Sequence, residues 1–226
     1  MRPKALIFDM DGLLLDTEGL YKKSWTQVAA EMGFDLSDSL YLKLIGITVA
    51  DAEDVLASAF GAGFDKAHFH VKAAEQYEHL HETEGLSLKP GVRELLLWAR
   101  ENGLVCAVGT STVTAEAKRR LEVHNLGEFF AAVVGGDMVA KGKPDPETFI
   151  RAQEAINMTS ADCMVLEDAH SGLVAARAGG MRSCLVPDML PASDASRELA
   201  EGVFDSLHDV CRWLENECPK VKQVVS

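Results

Sequence analysis

Five short runs of the chain are apolar almost throughout: residues 5–8, 104–108, 131–134, 163–166 and 183–186. Uniformly apolar runs, rather than alternating ones, describe strands buried on both faces, as in a parallel sheet sandwiched between helices. The intervening segments read as those helices. Pro90 opens one in its first turn, Leu95, Leu96 and Ala99 form its buried stripe, and Gly103 closes it. Asp145-Pro146 opens a second, with Phe149, Ile150 and Ile156 facing inward and Asn157 near its end. Residues 171–178, closed by Gly179-Gly180, make a third. Strand and helix alternating in this way imply an α/β fold with a doubly wound, Rossmann-like parallel sheet, whose ligands bind beyond the carboxyl ends of the strands.

Residues 17–85 break that rhythm. They hold no strand-like run but carry helical stripes: Trp25, Val28, Ala29 and Met32, then Val55, Leu56, Ala59 and Phe60 behind the capping pattern Thr48-x-x-Asp51. A third pattern covers 65–81. The expected organisation is a catalytic core of residues 1–16 and 86–226 interrupted by an all-helical cap, 17–85, placed over the sheet's carboxyl edge as a specificity-determining lid. Residues 221–226 read as a frayed tail.

Charge narrows the partners. A net charge of -13 argues against nucleic acid and anionic membrane surfaces, both of which demand basic patches. Small ligands are expected instead, and a monomer. The apolar stretch behind the basic start Met1-Arg2-Pro3-Lys4 stops at Asp9, too early for a signal peptide or a membrane span, so a cytoplasmic protein is expected. The five cysteines lack CxxC pairing and mostly sit in apolar runs, as reduced structural thiols do.

The chemistry lies at the strand ends. The first apolar run ends in Asp9-Met10-Asp11-Gly12, the second in Gly109-Thr110-Ser111-Thr112, and the fourth in Glu167-Asp168. Lys141-Gly142-Lys143-Pro144 follows the third. Four carboxylates converging on one edge repel one another and need a cation if most are to stay ionised. Mg2+ suits an all-oxygen set with no histidine or cysteine at a strand end. With Lys143 and the Thr110 hydroxyl it would cradle a phosphoryl group. Asp9 then serves as nucleophile and Asp11 as the acid that protonates the departing oxygen and later takes a proton from water. Each residue also has a plainer reading. Asp9 and Asp11 suit a turn, Thr110 or Ser111 suits the N-cap of a helix beginning near Val113, Glu167-Asp168 suits a cap, and Lys141 competes with Lys143. His68, His70, His79 and His81 read as a solvated helix face, since residues two apart on a helix diverge. Tyr21, Lys22 and Lys23 are either substrate-facing or an exposed helix start.

Asp9-Met10-Asp11-Gly12, the Thr110 segment, Gly142-Lys143-Pro144-x-Pro146 with Phe149, and Glu167-Asp168 resemble, in order, the four signature motifs of the haloacid dehalogenase superfamily of phosphohydrolases. The run from Asp9 to Glu18, the Leu-Glu-Asp-Ala-x-x-Gly string ending at Gly172, and the helical insert resemble more narrowly its beta-phosphoglucomutase-like subgroup and pseudouridine-5'-phosphatase-type enzymes. The resemblance implies Asp9 as nucleophile and metal ligand, Asp11 as acid/base and ligand through its backbone carbonyl, and Asp168 as metal ligand. It implies Thr110, Ser111 and Lys143 as phosphate contacts and Glu167 as a secondary acid. The implied function is Mg2+-dependent hydrolysis of a small phosphorylated metabolite, a sugar or nucleoside phosphate. The alternative is a phosphoglucomutase-like phosphotransferase. However, Tyr21 and Val49 stand where the mutases carry a cap histidine and, soon after a glycine resembling Gly46, an arginine, which favours water as acceptor. A non-catalytic phospho-accepting module is a weaker alternative, since such modules are shorter and lack a cap.

Overall fold

A computed structural model describes residues 2–45 and 49–217 of the chain, so that Gly46, Thr48, Cys218 and the segment 221–226 lie outside the described residues. Strand β1 (Ala5–Phe8) is followed by helices α1 (Thr17–Glu31), α2 (Asp38–Tyr41), α3 (Val49–Phe60), α4 (Lys66–Thr83) and α5 (Val92–Glu101). Strands and helices then alternate: β2 (Val105–Gly109), α6 (Thr114–Val123), β3 (Phe130–Val134), α7 (Glu147–Ala155), β4 (Cys163–Glu167), α8 (His170–Ala178), β5 (Arg182–Leu185), α9 (Asp194–Leu199), β6 (Gly202–Val203) and α10 (Leu207–Glu217). Two compact units result, Met1–Leu15 with Leu88–Ser226, and Asp16–Ser87.

The first unit holds one sheet in the order β3-β2-β1-β4-β5-β6 with every neighbouring pair parallel. This is the doubly wound sheet expected from the apolar runs, and all four residues of β1 are fully buried. One face packs Ile7, Ala107 and Val165 against Phe149 and Ala152 of α7 and Ala175 and Ala176 of α8. Burying a phenylalanine such as Phe149 contributes roughly 1.5–3 kcal/mol. The thiols of Cys106, Cys163, Cys184 and Cys211 are free and buried. Burial pushes Cys106 and Cys184 up to about 12 and Cys163 and Cys211 up to about 11, which keeps them inert.

Two boundaries depart from expectation. Helix α5 starts after Pro90: Gly91 is its N-cap with φ of 90°. A Cβ there would strike the backbone of Leu207 and His208, so the left-handed glycine is what lets α5 start against α10. The short edge strand β6 gives no apolar run, because only two residues pair with β5.

The second unit is all helical. Asp16 caps α1 by accepting from the Gly19 N–H at 3.1 Å, and Asp65 caps α4 through the His68 N–H at 3.0 Å. Trp25, Val28 and Ala29 are buried on α1, and Trp25 meets Phe69 of α4 edge-to-face at 5.3 Å. Helix α3 corrects the expected stripe, since Ala52, Glu53 and Leu56 face inward while Ala59 is exposed. The reason is polar: the buried Glu53 carboxylate pairs with His70 Nδ1 on α4 at 2.6 Å. His68 and His79 are exposed, and His81 is half-buried with its ring parallel to Tyr77 at 6.2 Å. Among the described residues no helix is long and apolar enough to cross a membrane.

Candidate active site

Register builds the site. Phe8 is paired with Val108 on one side and Leu166 on the other. The strand ends therefore lie side by side: Asp9 follows β1, Thr110 follows Gly109 at the end of β2, and Asp168 follows Glu167 at the end of β4. This is where the winding reverses, the crevice in which open α/β sheets bind ligands.

Asp9 is 7% exposed, and its N–H continues the ladder to the Leu166 carbonyl at 3.0 Å. Lys143 reaches it from the segment before α7. Its Nζ donates to Asp9 Oδ1 at 2.5 Å and to Glu167 Oε1 at 2.7 Å, and it lies 4.5 Å from the centre of the Phe149 ring. Lys141, the competing candidate, is exposed. The other oxygen of Glu167 accepts the backbone N–H groups of Asp168 and Ala169, each at 2.8 Å, so this carboxylate is anchored on both sides. It does not cap α8, whose N-cap, Ala169, has no side-chain cap hydrogen bond; it holds the turn before that helix and anchors Lys143.

Two glycines make room. A Cβ on Gly12, whose φ is 84°, would run into the Asp168 carboxylate, and one on Gly172 would run into Glu167. The Gly12 turn therefore both re-aims the chain after Asp11 and admits a carboxylate from β4.

Carboxylate oxygens of Asp9, Glu167 and Asp168 lie within 4.8 Å of one another, and among the described residues this is the sole metal-capable group of three or more such side chains. Burial is the main influence on Asp9 and lifts its carboxyl to about 7; Lys143 opposes the lift, while Glu167 and Asp11 add to it. Asp168 is raised well above the ordinary range, by burial first and then by Glu167 and Asp9. Burial works against the Lys143 cation, but Asp9 and Glu167 outweigh it and hold its pKa above the ordinary value. One lysine faces three acids, so the cluster is short of positive charge.

Asp11 is a third exposed at its side chain and is held separately from Asp9. Its Oδ1 accepts from Arg120 Nη1 of α6 at 2.8 Å, and its Oδ2 from the Thr112 hydroxyl at 2.7 Å, with Thr110 Oγ1 at 3.4 Å. Thr110 is buried and Ser111 exposed. Neither caps α6, whose N-cap is Val113 with no side-chain cap hydrogen bond; Asp137 accepts from the first helical residue instead, the Thr114 N–H at 2.7 Å and the Thr114 hydroxyl at 2.6 Å. Thr112 is one of the strand-end hydroxyls already noted in the sequence, whereas nothing in the sequence singles out Arg120. Glu116 and Arg120 have the spacing of an ordinary surface pair, and only the fold brings Arg120 to Asp11. In the helical unit, Tyr21 stacks on Tyr77 at 4.2 Å, while Lys22 and Lys23 pair with Asp38 and Glu84 at 2.8 and 2.5 Å.

A parallel sheet with paired acids at two adjacent strand ends and a lysine between them defines a class of α/β hydrolytic enzymes built around an acidic, cation-seeking centre. Residues 6–186 match the family described as haloacid dehalogenase-like hydrolase, and the chain belongs to that family. It is 34% identical over 178 residues to a phosphorylated carbohydrates phosphatase of Thermotoga maritima, covering 79% of this chain and 82% of the relative. It is 32% identical over 182 residues to the fructose-1-phosphate phosphatase YqaB of Escherichia coli, covering 80% and 94%. A solved Thermotoga maritima structure, assigned provisionally as a beta-phosphoglucomutase, superposes with a TM-score of 0.79 at 31% identity, covering 96% of this chain and 99% of that one.

Proposed function

We propose that the protein is a divalent-cation-dependent phosphatase that hydrolyses a phosphorylated carbohydrate through a phosphorylated Asp9. The observation that carries this is the Lys143 bridge between Asp9 and Glu167 beside Asp168. It supplies a nucleophile, a counter-charge and acids in need of a cation at one strand edge. The phosphatase names of the two relatives support hydrolysis and a sugar phosphate substrate.

An Asp9 oxygen attacks phosphorus while Asp11 gives a proton to the bridging oxygen as its bond to phosphorus breaks. Water then attacks the same phosphorus, Asp11 takes its proton, and Asp9 leaves as a carboxylate. Lys143 neutralises phosphoryl charge, and the Thr110 hydroxyl lies close enough to Asp11 to orient the group between them. The all-oxygen set fits Mg2+, with Asp9, Asp168 and the backbone carbonyl of Asp11 as the residues to hold it and Glu167 holding Lys143 behind them. When bound, the ion supplies charge neutralisation of the transferring phosphoryl group. We assign substrate discrimination to the helical unit, where Tyr21, Trp25, Tyr41 and Glu18 help line a cavity of about 130 Å³ with the aromatic walls that sugars favour.

The test is a panel of hexose, hexitol and pentose phosphates with Mg2+ or chelator, alongside Asp9→Asn. Turnover should fall by at least about a thousandfold in the variant, and should vanish in chelator. Undiminished turnover in either would overturn the reading, and sustained interconversion of glucose phosphate isomers would make the acceptor a sugar rather than water.

A further inference from the structure

The clamp on Asp11 does more than hold a charge. Its two oxygens face chemically different partners. Oδ1 meets the guanidinium of Arg120, which donates hydrogen bonds and never accepts them. Oδ2 meets the hydroxyls of Thr112 and Thr110, which both donate and accept. Thr110 Oγ1 already accepts the Thr112 N–H at 3.1 Å, so its own proton is turned toward other acceptors. Arg120 is itself fixed. Its side chain is 15% exposed, and its Nε donates to Glu116 Oε1 at 2.8 Å, one helical turn back on α6. Glu116 is in turn gripped by both Nε and Nη2 of Arg119, at 2.7 Å each.

We infer that Arg120 is a positioning residue for the phosphatase reaction proposed above: it pins Oδ1 of Asp11 as a permanent acceptor, so that Oδ2 is the oxygen that delivers and recovers the proton. In the first half-reaction the proton passes from Oδ2 to the bridging oxygen as the Asp9–phosphorus bond forms and the ester bond breaks. In the second it returns to Oδ2 from the attacking water as the Asp9–phosphorus bond breaks. The Thr112 hydroxyl can accept while Oδ2 carries the proton and donates to it once the proton has left, a change of role that the guanidinium cannot make. A carboxylate free to spin would present either oxygen and lose that alignment.

The inference rests on the proposed function and is tested through leaving-group dependence, which loss of fold does not mimic. Arg120→Met, Arg120→Lys and Glu116→Gln are compared with wild type on p-nitrophenyl phosphate, whose leaving group needs no proton, and on whichever sugar phosphate of the panel the wild type hydrolyses. For Arg120→Met, kcat/KM on the sugar phosphate should fall about 10- to 100-fold, while that on p-nitrophenyl phosphate stays within about threefold. A burst of p-nitrophenol should then appear, because water attack on phospho-Asp9 still needs Asp11. Arg120→Lys should recover part of the loss, and Glu116→Gln, which weakens the hold on Arg120 Nε by removing the charge of its acceptor, should show the same pattern more weakly. Equal losses on the two substrates, or none on either, would overturn the role of Arg120 and leave the phosphatase reading standing. A wild-type protein that hydrolyses no phosphomonoester would remove that reading, and this one with it.

Discussion

Lys143→Met removes the only side-chain cation hydrogen-bonded to Asp9 and Glu167 among the described residues, while keeping the aliphatic bulk beside Phe149. Lys143 and both its partners are nearly inaccessible, with side-chain exposures of 7%, 9% and 2%. Breaking such a buried pair costs about 3–5 kcal/mol, because the remaining charges are stranded away from water. For a protein of this size that corresponds to a fall in Tm of roughly 6–20 °C. The cost should depend on pH with a definite sign. Asp9 already titrates at about 7, raised chiefly by burial and held down by Lys143. Without the lysine its pKa rises further. An acid whose folded-state pKa exceeds its unfolded value stabilises the fold at low pH and loses that contribution as pH rises through the folded value. Thermal melts of wild type and Lys143→Met in chelator, at about pH 5 and about pH 8, should therefore show the larger gap at the higher pH. An equal gap at both, or a variant as stable as wild type at about pH 8, would refute the buried triad as described.

Three further outcomes follow from the same geometry. In chelator, Asp9→Asn should gain stability relative to wild type as pH rises from about 5 to 8, by about 2–3 kcal/mol, and added Mg2+ should erase the difference by stabilising wild type alone; melting curves across that range decide it. Gly172→Ala offers a helix-propensity gain of about 1 kcal/mol, but its Cβ would strike Glu167, which Lys143 and two backbone N–H groups hold in place. The clash should win, giving a net loss of about 1–3 kcal/mol by denaturant titration together with reduced turnover. Asp11→Asn should slow turnover by about 10²- to 10⁴-fold with Mg2+ affinity by calorimetry largely kept, since its side chain faces Arg120 and Thr112.

The sheet is legible because β1, β2, β4 and β5 are buried almost throughout and the edge strand β3, though only partly buried, is equally apolar, which leaves a signal of continuous apolar residues. β1, β2, β3, β4 and β5 fall within a residue or so of the apolar runs; β6, with two paired residues, offers no such run. Asp9, Glu167, Asp168 and Lys143 were found together because each follows a strand or its connection, so sequence order already implies proximity. What escaped were residues whose role depends on the third dimension. Arg120 lies 109 positions from Asp11, and Glu53 is an acid on an inward helix face, where hydropathy expects an apolar side chain. The hydroxyls just before α6 leave its first N–H unmet; Asp137, from beyond β3, accepts it.

The central claim is that Asp9 becomes phosphorylated during turnover. Acid quench of the Mg2+-loaded enzyme in steady state with a hydrolysed sugar phosphate, followed by borohydride reduction and peptide mass analysis, tests it directly. Homoserine should appear in place of Asp9 and at no other aspartate, and it should be missing when substrate is omitted. Brisk hydrolysis with Asp9 unmodified at every quench time, or reduction at Asp11 or Asp168 instead, would contradict the account.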